Sequence, residues 1–324
     1  MTILVTGGAG YIGSHMVKLL QARGRPVVVL DDLSTGHRDA VSAPLVEGRT
    51  DDTPAVEKLL REHSVKAVVH FAAYSLVGES MVDPLKYYAN NVGGTTGLLQ
   101  AMRAAGVERI VFSSTAAVYG EPQRVPIDED HPRNPVNPYG ATKLAVERML
   151  DDAHAAYGLR SASLRYFNAA GAHRDGSLGE RHNPETHLIP LVLQAASGRR
   201  ASVSIFGADY PTRDGTCVRD YIHVEDLCEA HLLALEWLDG GGGREVFNLG
   251  SEHGATVKEI IDTARRETGR DIHVVQAPRR PGDPAVLVAS CERARQVLGW
   301  TPTRSDTATI VRDAWRWERA CTSA

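Results

Sequence analysis

Several features are missing from this chain, and each absence removes a class of function. It carries no block or stripe of lysine and arginine and has a formal net charge of −4. Nucleic acid and anionic membranes are therefore not expected partners. No apolar run approaches the length needed to cross a bilayer. Met1-Thr2-Ile3-Leu4-Val5-Thr6 passes directly into a strand pattern without a charged and apolar leader, so no signal peptide is expected. Cysteine is scarce: Cys217, Cys228, Cys291 and Cys321 lie far apart and form no CxxC pair. The expectation is reduced, mostly structural thiols in a cytoplasmic protein, with no metal site. No internal repeat is found.

What remains is an ordinary globular composition. At 324 residues, 43% hydrophobic and 23% charged, the chain can bury a full core and is longer than one typical domain. Its first half alternates short β-branched runs with helical patterns. Candidate strands are Ile3–Thr6, Pro26–Asp31, Lys66–Ala72, Arg109–Ser113 and Ser161–Phe167. Helical patterns cover Ser14–Arg23, Leu85–Ala105 and Tyr139–Ala156, stopped at or near Gly24, Gly106 and Gly158. Such alternation of apolar strands with helices implies an α/β fold, a doubly wound parallel sheet of the Rossmann type. After about Asn168 the pattern becomes loop-rich, with short helices at His187–Ser197, Val224–Leu238, Thr256–Thr268 and Asp306–Arg319. The expected division is a dinucleotide-binding domain over 1–167 and a smaller mixed α/β substrate-binding domain over 168–324. Segments around 220–245 are expected to pack back on the first.

Gly7-Gly8-Ala9-Gly10-Tyr11-Ile12-Gly13 follows the first strand and opens a helix. It satisfies Gly8-x-Gly10-x-x-Gly13 and the wider Gly7-x-x-Gly10-x-x-Gly13. Glycine is needed here for a tight turn, a close backbone approach to pyrophosphate and close packing of helix on strand. Asp31 and Asp32 close the second strand, where a carboxylate accepts the adenosine ribose hydroxyls. An acid there repels a 2′-phosphate, so NAD is expected rather than NADP.

Asn137-Pro138-Tyr139-Gly140-Ala141-Thr142-Lys143 is the stretch richest in chemistry. Asn suits a helix N-cap and Pro the first helical position. Tyr139 then sits in the first turn at the positive end of the helix dipole, with Lys143 four residues on and on the same face. Making a phenol a base near neutrality means lowering its pKa by about three units, roughly 4 kcal/mol. An ammonium about 6 Å away supplies roughly 2.8 kcal/mol at an effective dielectric near 20. The helix terminus adds up to about 1 kcal/mol, and a cationic nicotinamide could add more. Phe112-Ser113-Ser114-Thr115 ends the fourth expected strand, at the sheet edge where ligands bind in open α/β folds. A hydroxyl there can reach both a reacting substrate atom and Tyr139.

Together these segments resemble the extended short-chain dehydrogenase/reductase superfamily and, within it, the UDP-glucose 4-epimerase (UDP-galactose 4-epimerase) family. The likeness runs over nearly the whole chain. It includes His70-Phe71-Ala72-Ala73, Val77-Gly78-Glu79-Ser80, Tyr87-Tyr88-Ala89-Asn90-Asn91 and Leu164-Arg165-Tyr166-Phe167-Asn168. The most specific part is Phe206-Gly207-Ala208-Asp209-Tyr210-Pro211-Thr212-Arg213-Asp214-Gly215-Thr216, followed by Val218-Arg219-Asp220-Tyr221-Ile222-His223-Val224. Pro278-Arg279-Arg280-Pro281-Gly282-Asp283 resembles the family's uridine-diphosphate-binding segment. The resemblance implies Tyr139 as base, Lys143 as its electrostatic partner and ribose ligand, and Thr115 as the hydroxyl residue. It implies NAD contacts from Tyr11, Ile12, Asp31, Phe71, Ala72, Asn90 and Phe167. Contacts to a UDP-sugar are implied for Asn168, His187, Leu188, Phe206, Arg219, Tyr221, Arg280, Asp283 and Leu287. Planar, always-charged arginines suit a diphosphate. The implied reaction is inversion at C4 through a transient 4-keto sugar, with NAD retained. A homodimer is implied through helices around Leu85–Ala105 and Tyr139–Ala156.

The chain also departs from the family. Arg49-Thr50 stands where many members carry an Asp-hydrophobic pair that grips adenine, Ser75 where Lys is common, and His187 where Asn is frequent. Somewhat altered NAD contacts are expected from these. Leu287 stands where strict glucose/galactose enzymes carry a bulky Tyr, so UDP-N-acetylhexosamines are a further expected substrate class. Alternatives are another nucleotide-sugar 4-epimerase (UDP-GlcNAc or UDP-pentose), a dehydratase, and a non-catalytic NAD-binding protein. Ala116-Ala117 stand where dehydratases of this scaffold carry Asp-Glu, so elimination lacks its acid.

Overall fold

The computed structural model describes residues 1–280 and 282–323; Pro281, in the segment likened to a uridine-diphosphate site, and Ala324 lie outside the described residues. Seven strands make one sheet: β1 (Thr2–Thr6), β2 (Val27–Asp31), β3 (Leu45–Glu47), β4 (Val65–His70), β5 (Arg109–Thr115), β6 (Arg160–Tyr166) and β7 (Arg244–Leu249). Their order is β7-β6-β5-β4-β1-β2-β3, and every neighbouring pair is parallel. Chain order reverses between β1 and β4, which opens a crevice beyond their carboxyl ends.

Period-two alternation assigns each strand side chain to a face. Ile3, Val5, Val27, Val29, Ala67, Val69 and Val111 point into one core with Met16, Val17 and Leu20 of the Tyr11–Ala22 helix. Leu4, Val28, Leu30, Val68, Ile110 and Phe112 point into the other, beneath the helices Thr53–Glu62, Gly94–Ala105 and Pro138–Tyr157. The sheet is doubly wound because its strands are apolar on both faces. Gly106 and Gly158 stop the latter two helices in left-handed conformation, with φ of 69° and 76°.

Several features differ from the expectations. The Leu85–Ala105 helix is interrupted: Pro84–Tyr87 leads into a π-helical turn, Tyr88–Gly93, before Gly94–Ala105. That wider turn sets Asn90 at the crevice. β3, at only three residues, and the Thr53–Glu62 helix capped by Asp52 were not expected from the sequence. The division after Phe167 is also not a clean cut. β7 pairs with β6 along its whole length, and Leu227, Leu235, Phe247, Leu298 and Trp300 share the β1-face core. The return to the large sheet thus runs past 245, to Leu249 and again to Trp300.

The remaining elements surround a separate core containing Ile189, Val192, Leu193, Val203, Ile205, Ile260, Ile261, Ile310 and Val311. Small sheets pair Asn168–Ala170 with Tyr221–His223, Val203–Phe206 with Val274–Ala277, and Val218–Arg219 with both Ala255–Thr256 and Val286–Leu287. These place residues distant in sequence opposite the crevice.

Candidate active site

A cleft of about 1240 Å³ runs from the glycine-rich turn to the small sheets. Every site residue singled out from the sequence lines it, from Gly7, Gly10, Tyr11, Ile12, Gly13, Asp31 and Asp32 to Arg280, Asp283 and Leu287.

At one end the turn after β1 is built so that only glycine fits. A Cβ on Gly13 would stand 2.1 Å from the Gly7 carbonyl oxygen, and one on Gly7 would stand 2.6 Å from the Ala72 nitrogen. The Tyr11–Ala22 helix has Gly10 at its N-cap, with no side-chain cap and no acid in the first turn. This leaves a helix terminus suited to an anionic pyrophosphate. Asp31 is 7% exposed and accepts hydrogen bonds from the Ala9 and Leu33 backbone N–H groups at 2.9 and 2.8 Å. Burial raises its pKa, and those two donors pull it back. Asp32 is oriented differently, toward Ser34 and the Arg49 guanidinium at 3.3 Å. Arg49 also chelates Asp51, so the departure from the family pattern forms a surface ion network at the β2 end. The residues present fit a dinucleotide: a steric cradle, an uncapped helix end and a buried carboxylate.

At the middle of the cleft, Asn137 caps the Pro138–Tyr157 helix by accepting a hydrogen bond from the Gly140 N–H at 2.8 Å. Gly140 packs so closely that a Cβ would meet the Ala117 carbonyl oxygen at 2.5 Å. The helix start is thereby pressed onto the turn that follows Thr115. The Thr115 hydroxyl accepts from the Ala117 N–H at 3.1 Å and lies on the Tyr139 side of the cleft, where it favours the phenolate. Lys143 donates from Nζ to the Ser113 carbonyl at 2.8 Å, and the ammonium lies 6.0 Å from the centre of the Tyr139 ring.

The electrostatics reverse one expectation. Burial pushes the Tyr139 phenol up to about 12, with the Thr115 hydroxyl opposing, and pushes Lys143 down to about 7, with Glu147 opposing. Desolvation dominates the phenol, so in the cofactor-free cleft it stays above its ordinary value. Bringing a phenol from about 12 to neutrality takes roughly 7 kcal/mol, more than the roughly 2.8 kcal/mol a fully charged lysine supplies.

At the far end, Arg219 forms an ion pair with Asp283 and donates from Nη1 to the Val218 carbonyl at 2.7 Å. Arg280 stacks its guanidinium 4.0 Å above the Phe206 ring. Both guanidiniums keep donors for a diphosphate. His187 lines the same cleft, with its Nδ1 2.6 Å from Glu180. Sequence reasoning missed Arg200, Tyr74, Glu180, His182 and Glu185, which also line the cleft. The signal for the last three was the spacing Glu180-x-His182-x-x-Glu185-x-His187.

The sequence profile of the NAD dependent epimerase/dehydratase family matches residues 3–250. The chain belongs to that family. Among its relatives is the UDP-glucose 4-epimerase of Lacticaseibacillus casei, 54% identical over 319 residues, covering 98% of this chain and 96% of the relative. The UDP-glucose 4-epimerase of Brucella ovis, solved in complex with NAD, superposes with a TM-score of 0.95 at 50% identity, covering 97% of each chain. That of Stenotrophomonas maltophila, solved with bound NAD and formylated UDP-arabinopyranose, gives 0.97 at 42% identity and covers 100% of this chain and 99% of that one. No helix among the described residues is long and apolar enough to cross a membrane.

Proposed function

We propose that this family member is a UDP-glucose/UDP-galactose 4-epimerase working with bound NAD. The observation that carries the reading is that Tyr139, Thr115 and Lys143 line one cleft together with the dinucleotide cradle and the two arginines. When bound, oxidised NAD supplies a positive charge that favours the phenolate and a two-electron acceptor, later a donor, for the sugar C4. Tyr139 takes the proton of the 4-hydroxyl at its phenolic oxygen and later returns it to the 4-keto oxygen. Thr115 orients both oxygens. Lys143, fixed on the Ser113 carbonyl, holds a ribose hydroxyl with its remaining donors. Arg219 and Arg280 hold the diphosphate, while Asn168, Phe206 and Tyr221 flank the nucleotide and Leu188 the sugar. The hexose meets few charged groups and is free to turn over and present its other face. Ala116 and Ala117 line the cleft beside Thr115, which leaves a dehydratase without its acid.

Leu287 is half-buried at the sugar end, and its side chain leaves room for an N-acetyl group at C2, so UDP-N-acetylhexosamines belong to the proposed substrate range. Met81, Val82, Leu85 and Tyr88, 61%, 86%, 77% and 43% exposed, form an apolar surface beside the Pro138–Tyr157 helix. It supports a homodimer, which sedimentation velocity would reveal as a single species of twice the chain mass. Four free thiols, three of them buried, fit a reducing cytoplasmic setting.

The test is proton NMR of the purified protein with UDP-galactose and no added NAD. Signals of UDP-glucose rising to a fixed ratio establish C4 inversion with a retained cofactor. An unchanged spectrum, with or without added NAD, overturns the glucose/galactose reading.

A further inference from the structure

The loop leading into the Leu188–Ala196 helix brings Glu180, His182, Glu185 and His187 together at the rim of the cleft. One donor atom from each lies within 4.8 Å of all the others. The Glu180 and Glu185 side chains are only 5% and 6% exposed. Among the described residues, the basic groups within ion-pair distance of either carboxylate are these two histidines and no lysine or arginine. Two nearly buried carboxylates without a fixed cation are unfavourable unless positive charge reaches them. We propose that these four side chains form a binding site for a divalent transition-metal ion of the zinc class, outside the reacting groups of the epimerase.

The distances suit such an ion. The His187 Nδ1 lies 2.6 Å from Glu180 and 3.2 Å from Glu185, and the His182 Nδ1 lies 3.0 Å from Glu180 and 3.8 Å from Glu185. A tetrahedron with metal–ligand bonds near 2.1 Å has edges of about 3.4 Å. The observed edges scatter around that length, so small side-chain rotations produce the coordination. Two imidazoles exclude magnesium and calcium as the favoured ions, since both prefer all-oxygen shells. Two carboxylates and two neutral imidazoles neutralise a dication. The side chains of His182 and His187, 29% and 45% exposed, leave a route in from the cleft.

The ion would tie this loop to both halves of the cleft. His182 sets its ring edge-on to Tyr11 of the glycine-rich turn, with centroids 6.4 Å apart. The Glu180 carbonyl accepts from the Trp317 indole at 3.0 Å, and the Arg181 carbonyl is bonded to His37 at 2.8 Å. His187 is the N-cap of the helix that begins with Leu188. A metal here is therefore a staple that fixes the loop.

The test uses the full-length, NAD-loaded protein, treated with chelator, desalted and titrated with Co²⁺ and with Zn²⁺. We expect one equivalent of Co²⁺ per chain with the intense visible d–d absorption of four-coordinate cobalt, its displacement by Zn²⁺, and a rise in thermal midpoint with Zn²⁺. His182→Ala and the near-isosteric Glu185→Gln should each weaken binding by at least about 10-fold, with circular dichroism and NAD content showing that they remain folded. No stoichiometric uptake, or only the weak absorption of six-coordinate cobalt, overturns the proposal. So does uptake that both variants leave unchanged. These readouts do not depend on epimerase activity.

Discussion

Arg165 clamps Glu147 through two parallel hydrogen bonds, Nε to Oε1 at 2.8 Å and Nη2 to Oε2 at 2.6 Å, with both side chains at most 2% exposed. Glu147 stands one helical turn beyond Lys143 and also accepts from the Ser114 hydroxyl at 2.6 Å. The guanidinium continues to the Tyr119 hydroxyl, which donates to Asn248 of β7. The Pro138–Tyr157 helix, β5, β6 and β7 are thus joined behind the cleft by one buried polar network.

Removing one partner leaves an uncompensated buried charge, which is worth about 3–5 kcal/mol. Arg165→Met should lower the urea unfolding midpoint accordingly, and Glu147→Gln, which retains some hydrogen bonding, should lower it less. Equal midpoints for parent and Arg165→Met would contradict the clamp.

Tyr139→Phe removes the only hydroxyl of that side chain and preserves the ring packing. The turnover number should fall by roughly 10²–10⁴-fold, with NAD content and the KM for UDP-galactose little changed. Stopped conversion in the NMR assay beside normal nucleotide retention is the signature to look for.

Burial lowers Lys143 to about 7, whereas an unfolded lysine titrates near 10.4. The folded state therefore binds fewer protons than the unfolded state between those values, and on this group's account stability rises with pH across that window. The destabilisation is complete below about pH 7 and relieved as pH approaches 10. In nucleotide-free protein, Lys143→Met should gain on the parent at the acidic end of the window, and the gap should shrink toward its alkaline end. A pH-independent difference in urea midpoint would rule this out.

Gly13→Ala puts a methyl group 2.1 Å from the Gly7 carbonyl oxygen and 2.8 Å from the Gly8 Cα, both backbone atoms with no free path away. Overpacking of that kind is worth about 1–3 kcal/mol. The variant should hold NAD roughly 10-fold less tightly or worse, read from the cofactor recovered after gel filtration.

Leu287→Tyr should reduce turnover of UDP-N-acetylglucosamine far more than that of UDP-galactose, measured side by side in the same NMR assay. If the parent does not turn over UDP-N-acetylglucosamine at all, the open pocket is wrong.

Most of what was legible beforehand was local. The glycine turn, the Asn137-Pro138 cap, the Tyr139/Lys143 spacing and the alternating strands depend on sterics and periodicity between residues close in sequence, and each appears in the fold. The π-helical turn at Tyr88–Gly93 was not legible, because nothing in its composition distinguishes it from an ordinary helix. β7 was hidden because a strand after a glycine run gains its identity only by pairing with β6.

By itself, then, the sequence determined the parallel doubly wound frame, the dinucleotide turn and which side chains are candidates for the reaction. Tertiary structure decided how they behave. Only packing brings Arg219 and Leu287 into the same cleft as Tyr139, and Arg165 against Glu147. Only burial makes the Tyr139 phenol a weaker acid and Lys143 a weaker base, the reverse of what their spacing alone suggests. The cluster of Glu180, His182, Glu185 and His187 lies between these cases. Its spacing is written in eight residues, but its charge and its burial come from the cleft around it. The reason is general: spacing along a chain sets which groups can meet, whereas desolvation depends on every element packed around them.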